Sequence, residues 1–189
     1  MADHADSGNA RKGGSTSSAK MSFKVRPAVR EDCAAIMGLI RELADYERML
    51  DQVEATADDL EEHLFSDDQL HWACANVATA EDDGECDGER VIGFVLYFFL
   101  FDPLTLERVA YMEDLYVQPA YRGRGVGLAL WRSVAQHGAR SSCEVLNFEV
   151  LDWNVPSLEF YAKRGANNIT RSRGYQHFRF SARPCGSFL

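Results

Sequence analysis

The sequence predicts one mixed α/β domain whose central sheet begins antiparallel and takes a helical crossover later. Three observations predict it. Strand-like and helix-like segments alternate along most of the 189 residues. Two long apolar strands meet at a turn around Asp102-Pro103, which reads as a hairpin connection. A glycine-rich loop, Arg122 to Gly127, then opens an amphipathic helix before the next strand.

The elements follow in order. Ser22–Arg26 reads as a short first strand. A helix from about Glu31 to Tyr46 sets Ile36, Leu39, Ile40 and Leu43 on one face, at spacings of three and four. Thr56-Ala57-Asp58-Asp59 has the form of a capping box, opening a second helix with Leu60 and Leu64 inward. His71–Val77, Arg90–Phe101 and Arg108–Val117 read as strands. The helix after the glycine loop runs from Val126 to about Arg140, with Leu128, Trp131 and Ala135 as its inner stripe and Leu130 and Val134 beside it. Glu144–Leu151 is a further strand. Asn154 can cap a helix running to Arg164, with Pro156 in its first turn and Gly165 just past its end. Tyr175–Ser181 alternates as a closing strand. Residues 1–20 lack large apolar side chains beyond Met1 and read as a disordered tail. Residues 80–89 read as an exposed loop, which leaves a domain over 21–183 and a short tail at 184–189.

Composition excludes several classes of function. An apolar fraction of 46% and a charged fraction of 26% are those of a soluble globular protein. The longest apolar run, Val91 to Phe101, is about half of what a membrane-spanning helix needs. No apolar stretch opens the chain as a secretory signal would, and Asp3 and Asp6 count against a mitochondrial leader, so a cytoplasmic protein is expected. Cys33, Cys74, Cys86, Cys143 and Cys185 are scattered without a C-x-x-C pair, so neither a disulfide framework nor a metal site is expected. Cys143 has no nearby His to activate it as a nucleophile.

The net charge of −9 disfavours nucleic acid as a partner, and it conceals an asymmetry. Between Glu42 and Asp68 stand eleven acids against one Arg, whereas Leu115–Cys143 holds four Arg and no acid. Arg164–Arg183 holds five Arg and again no acid. This suits an acidic region for a cationic substrate and a basic one for an anionic cofactor.

The loop Arg122-Gly123-Arg124-Gly125-Val126-Gly127 carries the first chemistry. Glycines at 123, 125 and 127 allow backbone N–H groups to turn toward one point, and the helix behind adds its positive end. A pyrophosphate fits such a cradle. The spacing is not G-x-G-x-x-G, and the Lys-Ser/Thr of a P-loop is missing.

Tyr111-Met112-Glu113-Asp114-Leu115-Tyr116-Val117, followed by Gln118-Pro119-Ala120-Tyr121 and that loop, resembles the GNAT superfamily of N-acetyltransferases. Arg122, Gly125 and Gly127 meet its Q/R-x-x-G-x-G/A signature. More closely, the chain is similar to the polyamine (spermidine/spermine), diamine and thialysine acetyltransferase branch. Arg26-Pro27-Ala28, Arg41 through Tyr46-Glu47, and Leu151-Asp152-Trp153-Asn154 through Phe160-Tyr161 to Gly165-Ala166 carry that likeness. The resemblance spans Phe23 to Phe180 and implies the GNAT fold, a mostly antiparallel mixed sheet flanked by helices.

It also implies roles. Acetyl-CoA is the expected acetyl donor, with no metal, and a primary amine of a small cationic molecule is the acceptor. Glu113 matches the proposed base, and Tyr161 the general acid for the departing thiolate. Leu115, Tyr116 and Val117 are expected to hold the acetyl carbonyl and pantetheine, and Arg122 through Gly127 (Gly123, Arg124, Gly125 and Val126 between them) the pyrophosphate. Asn154, Pro156 and Ser157 map onto further cofactor contacts, and Arg164 onto a phosphate-side contact. Tyr46 and Glu47, with Glu113, are implicated in holding the amine. A homodimer is implied by the family alone. A protein or peptide acetyltransferase, or a non-catalytic acetyl-CoA-binding module, are the alternative readings. Two departures weaken the polyamine assignment. Arg173-Gly174-Tyr175 stands where that branch carries an acid before Gly-Trp, and Asn147 where the spermidine enzymes have a His.

Overall fold

The computed structural model describes residues 21–66, 73–81 and 89–174. Five strands form one sheet in the order β1-β2-β3-β4-β5: Phe23–Pro27, Cys74–Glu81, Glu89–Asp102, Glu107–Val117 and Cys143–Phe148. The first four pair antiparallel. β5 returns beside β4 through a helix, the connection that a parallel pair requires. The expected mixed sheet is therefore present. Its expected closing strand, Tyr175–Ser181, and the start of the strand expected at His71 lie outside the described residues.

The first helix begins as a 3-10 turn over Arg30–Asp32 and continues as α1, Cys33–Tyr46. Asp32 holds that entry. Its buried carboxylate accepts from the Val29 amide at 2.8 Å and from both ends of the Arg26 guanidinium, at 2.6 and 3.1 Å. The stripe read from the sequence is the buried one. Ile36 and Leu39 pack with Val77, Phe94 and Tyr116 as a core, and Ile40 and Leu43 close its margin. α2, Ala57–Phe65, opens on the Thr56–Asp59 capping box, and its Leu64 is buried.

The helix after the glycine loop, α3, spans Val126–Arg140, but its inner stripe is not the one expected. Val126, Leu130, Val134 and Gly138 are buried, whereas Leu128, Trp131 and Ala135 are half-buried. The largest side chains do not set the seam; the smallest position does. A Cβ at Gly138 would stand 3.4 Å from that of Ala110 and 3.5 Å from that of Cys143, so this glycine lets α3 settle on the sheet.

The chain divides into two compact units after Asn147. In the second, α4 spans Val155–Ala162 and a short α5, which the sequence reading did not anticipate, spans Ile169–Arg173. β5 stops at Phe148 rather than reaching Leu151, and α4 stops at Ala162 rather than Arg164. The closing turn after α4 takes Arg164 and carries the chain through Gly165 at φ 85°.

Candidate active site

β4 carries one residue too many for its partner. Leu96 faces Asp114 across the ladder while the next residue, Tyr97, faces Met112, so Glu113 is the extra residue of a bulge. The bulge reverses the phase of the strand. Ala110 packs toward α3, and strict alternation would send Leu115 and Val117 to the other face; instead these two lie within 4.0 Å of where a Cβ on Gly127 of α3 would stand. Tyr116 accordingly joins the α1 core opposite Phe94.

The bulge also undoes the expectation that Glu113 and Asp114 point apart. Glu113 is exposed, and its charge is felt by Asp114. Burial first, then Glu113 and Glu47, push the half-buried Asp114 carboxyl up to about 6. Glu47, just past the end of α1, is itself pushed up by burial. The end of α1 and the bulge of β4 thus bring three carboxylates to one neighbourhood. Sequence reasoning named Glu47 and Glu113 but missed Asp114, because a period of two was assumed where the strand is irregular. No local signal in the sequence marks the bulge.

Four residues beyond Asp114, Gln118-Pro119-Ala120-Tyr121 leaves the strand in a 3-10 turn, and the glycine loop follows. Gly123 at φ 73° and Gly125 at φ 88° occupy the left-handed region that a side chain disfavours. Gly125 is the N-cap of α3, whose first turn contains no acid. Gly127 lies inside the helix. The amides of Val126, Gly127 and Leu128 come before the first intrahelical donor, which is Ala129 N–H to the Gly125 carbonyl at 3.0 Å. Those donors and the positive helix end form a cradle in which the diphosphate of a coenzyme fits.

The two loop arginines differ. Arg124 is exposed, and a terminal nitrogen lies 3.4 Å from the Met21 sulfur. Arg122 is committed to the sheet side: its Nε donates to the Val117 carbonyl at 2.8 Å, and its Cζ lies 5.2 Å from the ring centre of Tyr116 and 5.8 Å from that of Tyr46.

In the second unit, Asn154 is buried as the N-cap of α4 and accepts from the Ser157 amide at 3.4 Å, with Pro156 in the first turn. Tyr161 is buried between aromatic rings, 4.2 Å from Phe148 and 5.0 Å from Phe160 between centres. Burial pushes its phenol up to about 12, against a small opposing pull from Arg164. Arg164 lies over the Phe160 ring at 3.6 Å and donates to that residue's carbonyl. Among the described residues, no group of His, Cys, Asp or Glu could hold a metal, and no helix is long and apolar enough to cross a membrane. Cys33, Cys74 and Cys143 are free thiols, and burial pushes each up, away from the thiolate form.

Comparison with known proteins agrees with this arrangement. The model of the acetyltransferase (GNAT) family matches residues 37–166. The chain is 36% identical to the thialysine N-epsilon-acetyltransferase of Mus musculus over 160 residues, covering 84% of this chain and 92% of that one. It is also 36% identical, over 159 residues, to the spermidine/spermine N(1)-acetyltransferase-like protein 1 of Homo sapiens, but spans only 22% of that protein's length. Among solved structures, an integron cassette protein from the mobile metagenome of V. cholerae superimposes with a TM-score of 0.64 at 26% identity, covering 86% of this chain and 94% of that one.

Proposed function

The chain belongs to the acetyltransferase (GNAT) family, and from that premise we propose that it moves an acetyl group from acetyl-CoA to a primary amine of a small cationic molecule. A diamine, a polyamine or a thialysine-like compound is the acceptor class. One observation carries this reading: Glu47, Glu113 and Asp114 gather where β4 bulges, on the strand that leads directly into the glycine loop. A cation is drawn to the first place, and a polyanion to the second.

Acetyl-CoA, when bound, supplies the acetyl group as a thioester. The chain must do the rest. An alkylammonium has a pKa of about 10.4, so freeing its lone pair at neutral pH costs about 4–5 kcal/mol. Glu113 accepts that proton, directly or through water, while Glu47 and Asp114 hold the cation before it is discharged. The nitrogen then forms a bond to the acetyl carbon as the carbon–sulfur bond breaks, within one ternary complex. The Tyr161 phenol donates its proton to the departing thiolate. Its raised pKa keeps it protonated until then, in surroundings that would raise a thiol as well. The amides of Leu115, Tyr116 and Val117 are proposed to receive the carbonyl oxygen, Arg122 through Gly127 the diphosphate, and Asn154, Pro156, Ser157 and Arg164 the rest of the coenzyme. One acetyltransferase domain over 21–183, a homodimer and a cytoplasmic location complete the reading, all carried over from the family resemblance.

The test is thiol release from acetyl-CoA with a panel of diamines, thialysine, spermidine and spermine. Turnover is expected with at least one. It should fall a hundredfold or more in Tyr161→Phe with coenzyme affinity retained. Silence across the panel with a protein that still binds the coenzyme would leave only the non-catalytic module. Activity confined to lysine peptides would replace the small-amine reading with a protein acetyltransferase.

A further inference from the structure

The resemblance assigns Tyr46 to the amine, but the coordinates give its ring another occupant. The Arg122 guanidinium lies 5.8 Å from the Tyr46 ring centre and 5.2 Å from that of Tyr116. Distances under about 6 Å are those at which a cation is attracted to a ring face. Its Nε is fixed to the Val117 carbonyl at 2.8 Å. The cage is braced from behind. Glu42, one helical turn before Tyr46 on α1, accepts from the Tyr116 hydroxyl at 3.1 Å and from Gln118 Nε2 at 2.9 Å. Arg122 is thus held by the end of one helix and the end of one strand, although it belongs to a loop whose glycines leave the backbone pliant.

We propose that Tyr46 is a positioning residue for the coenzyme, acting through Arg122: with Tyr116 and Glu42 it holds the guanidinium so that its fork is set for the diphosphate before the ligand arrives. This rests on the reading of the glycine loop as a coenzyme site and adds a role to it. An arginine that has lost most of its rotamer freedom in the free protein loses less on binding. The same geometry gives Tyr46 a different relation to the amine. A guanidinium already lies against its ring, and a second cation brought to that side would be repelled. The carboxylates of Glu47, Glu113 and Asp114, not this aromatic ring, then carry recognition of the ammonium.

The experiment is a cycle of coenzyme A affinities, measured by titration calorimetry on the full chain as wild type, Tyr46→Ala, Arg122→Ala and the double variant, with Tyr46→Phe as the conservative control. Tyr46 is 40% exposed, so its truncation should leave the fold intact. Tyr46→Ala should weaken coenzyme A about three- to tenfold, and Tyr46→Phe, which keeps the ring face, about twofold or less. The double variant should bind no worse than Arg122→Ala alone, because Tyr46 has nothing to position once the guanidinium is gone. Steady-state kinetics should show the Tyr46→Ala change in KM for acetyl-CoA and little in KM for the amine. Additive losses in the cycle would overturn the proposal, as would an unchanged coenzyme affinity with a raised amine KM. Wild-type protein that gives no heat with coenzyme A would overturn both this proposal and the reading of the loop beneath it, and so tells the two failures apart.

Discussion

Asp114 shows how much one carboxylate's surroundings can decide. Its carboxyl stands at about 6, against an ordinary value of 3.8, because burial and two neighbouring acids disfavour its charge. Between those two values the folded protein keeps a proton that the unfolded chain has lost, so stability falls as pH rises through that window. Above pH 6 the full penalty applies, roughly 3 kcal/mol for about two pK units. Asp114→Asn should therefore unfold at higher denaturant than wild type at pH 8, and the advantage should vanish near pH 3. The same variant should raise KM for the amine, since a bound ammonium is what would relieve the crowding of charge. Equal midpoints at both pH values would show that the carboxyl is not burdened in the free protein. Asp114 was invisible as a site residue in the sequence, whereas Glu113 beside it was named from motif alone. The difference is that motif matching transfers single positions, while Asp114 acquires its character from three elements at once.

At the scale of elements, the glycine loop and α3 were the most legible part of the chain. A strand, a run of alternating glycines and an amphipathic helix can be assembled in few ways, and the structure starts α3 at the residue the pattern indicated. Its seam was misread because large side chains attract attention, while contact with β4 is decided where a side chain is missing, at Gly138. Strand ends were less legible: β5 leaves the sheet three residues early, since apolar character continues into Val150 and Leu151 without ladder partners. The loop makes a sharp prediction. A Cβ at Gly125 would meet nothing within 4 Å, so Gly125→Ala adds strain and no clash. At φ 88° that strain is about 1–2 kcal/mol. Melting should drop by a few degrees, and coenzyme A should bind at least several-fold more weakly as the first amides of α3 are re-aimed. A variant that melts lower yet binds the coenzyme as wild type would separate the loop's conformation from its proposed ligand.

For the molecule as a whole, the uneven spread of charge read from the sequence has partly taken structural form. The acid-rich stretch supplies Glu42 and Glu47 to the region around β4, and the acid-free stretch supplies the loop and α3. A further acid-free stretch ends the second unit, where Arg173 is exposed at the end of α5. In the polyamine branch an acid is expected at this point, so a basic residue should penalise acceptors with a distant second or third charge. Arg173→Glu is expected to raise kcat/KM for spermine relative to a short diamine by about three- to tenfold, read from the ratio in a single competition assay. An unchanged ratio would mean that Arg173 does not face the acceptor. What the sequence could not reveal at this scale is any residue whose role depends on irregularity, because periodic patterns are blind to an insertion.

The insertion at Glu113 has a consequence of its own. A strand with one residue removed there would regain a regular ladder, and everything after the deletion would turn over like a ribbon given a half twist. Tyr116 would exchange sides with Leu115 and Val117, and a phenol and an acid would be driven beneath α3 while aliphatic groups emptied from it. Evolution can therefore substitute at position 113 far more readily than it can shorten the chain there: the slot, independent of the carboxylate that fills it, sets which side of the sheet every later residue of the strand belongs to.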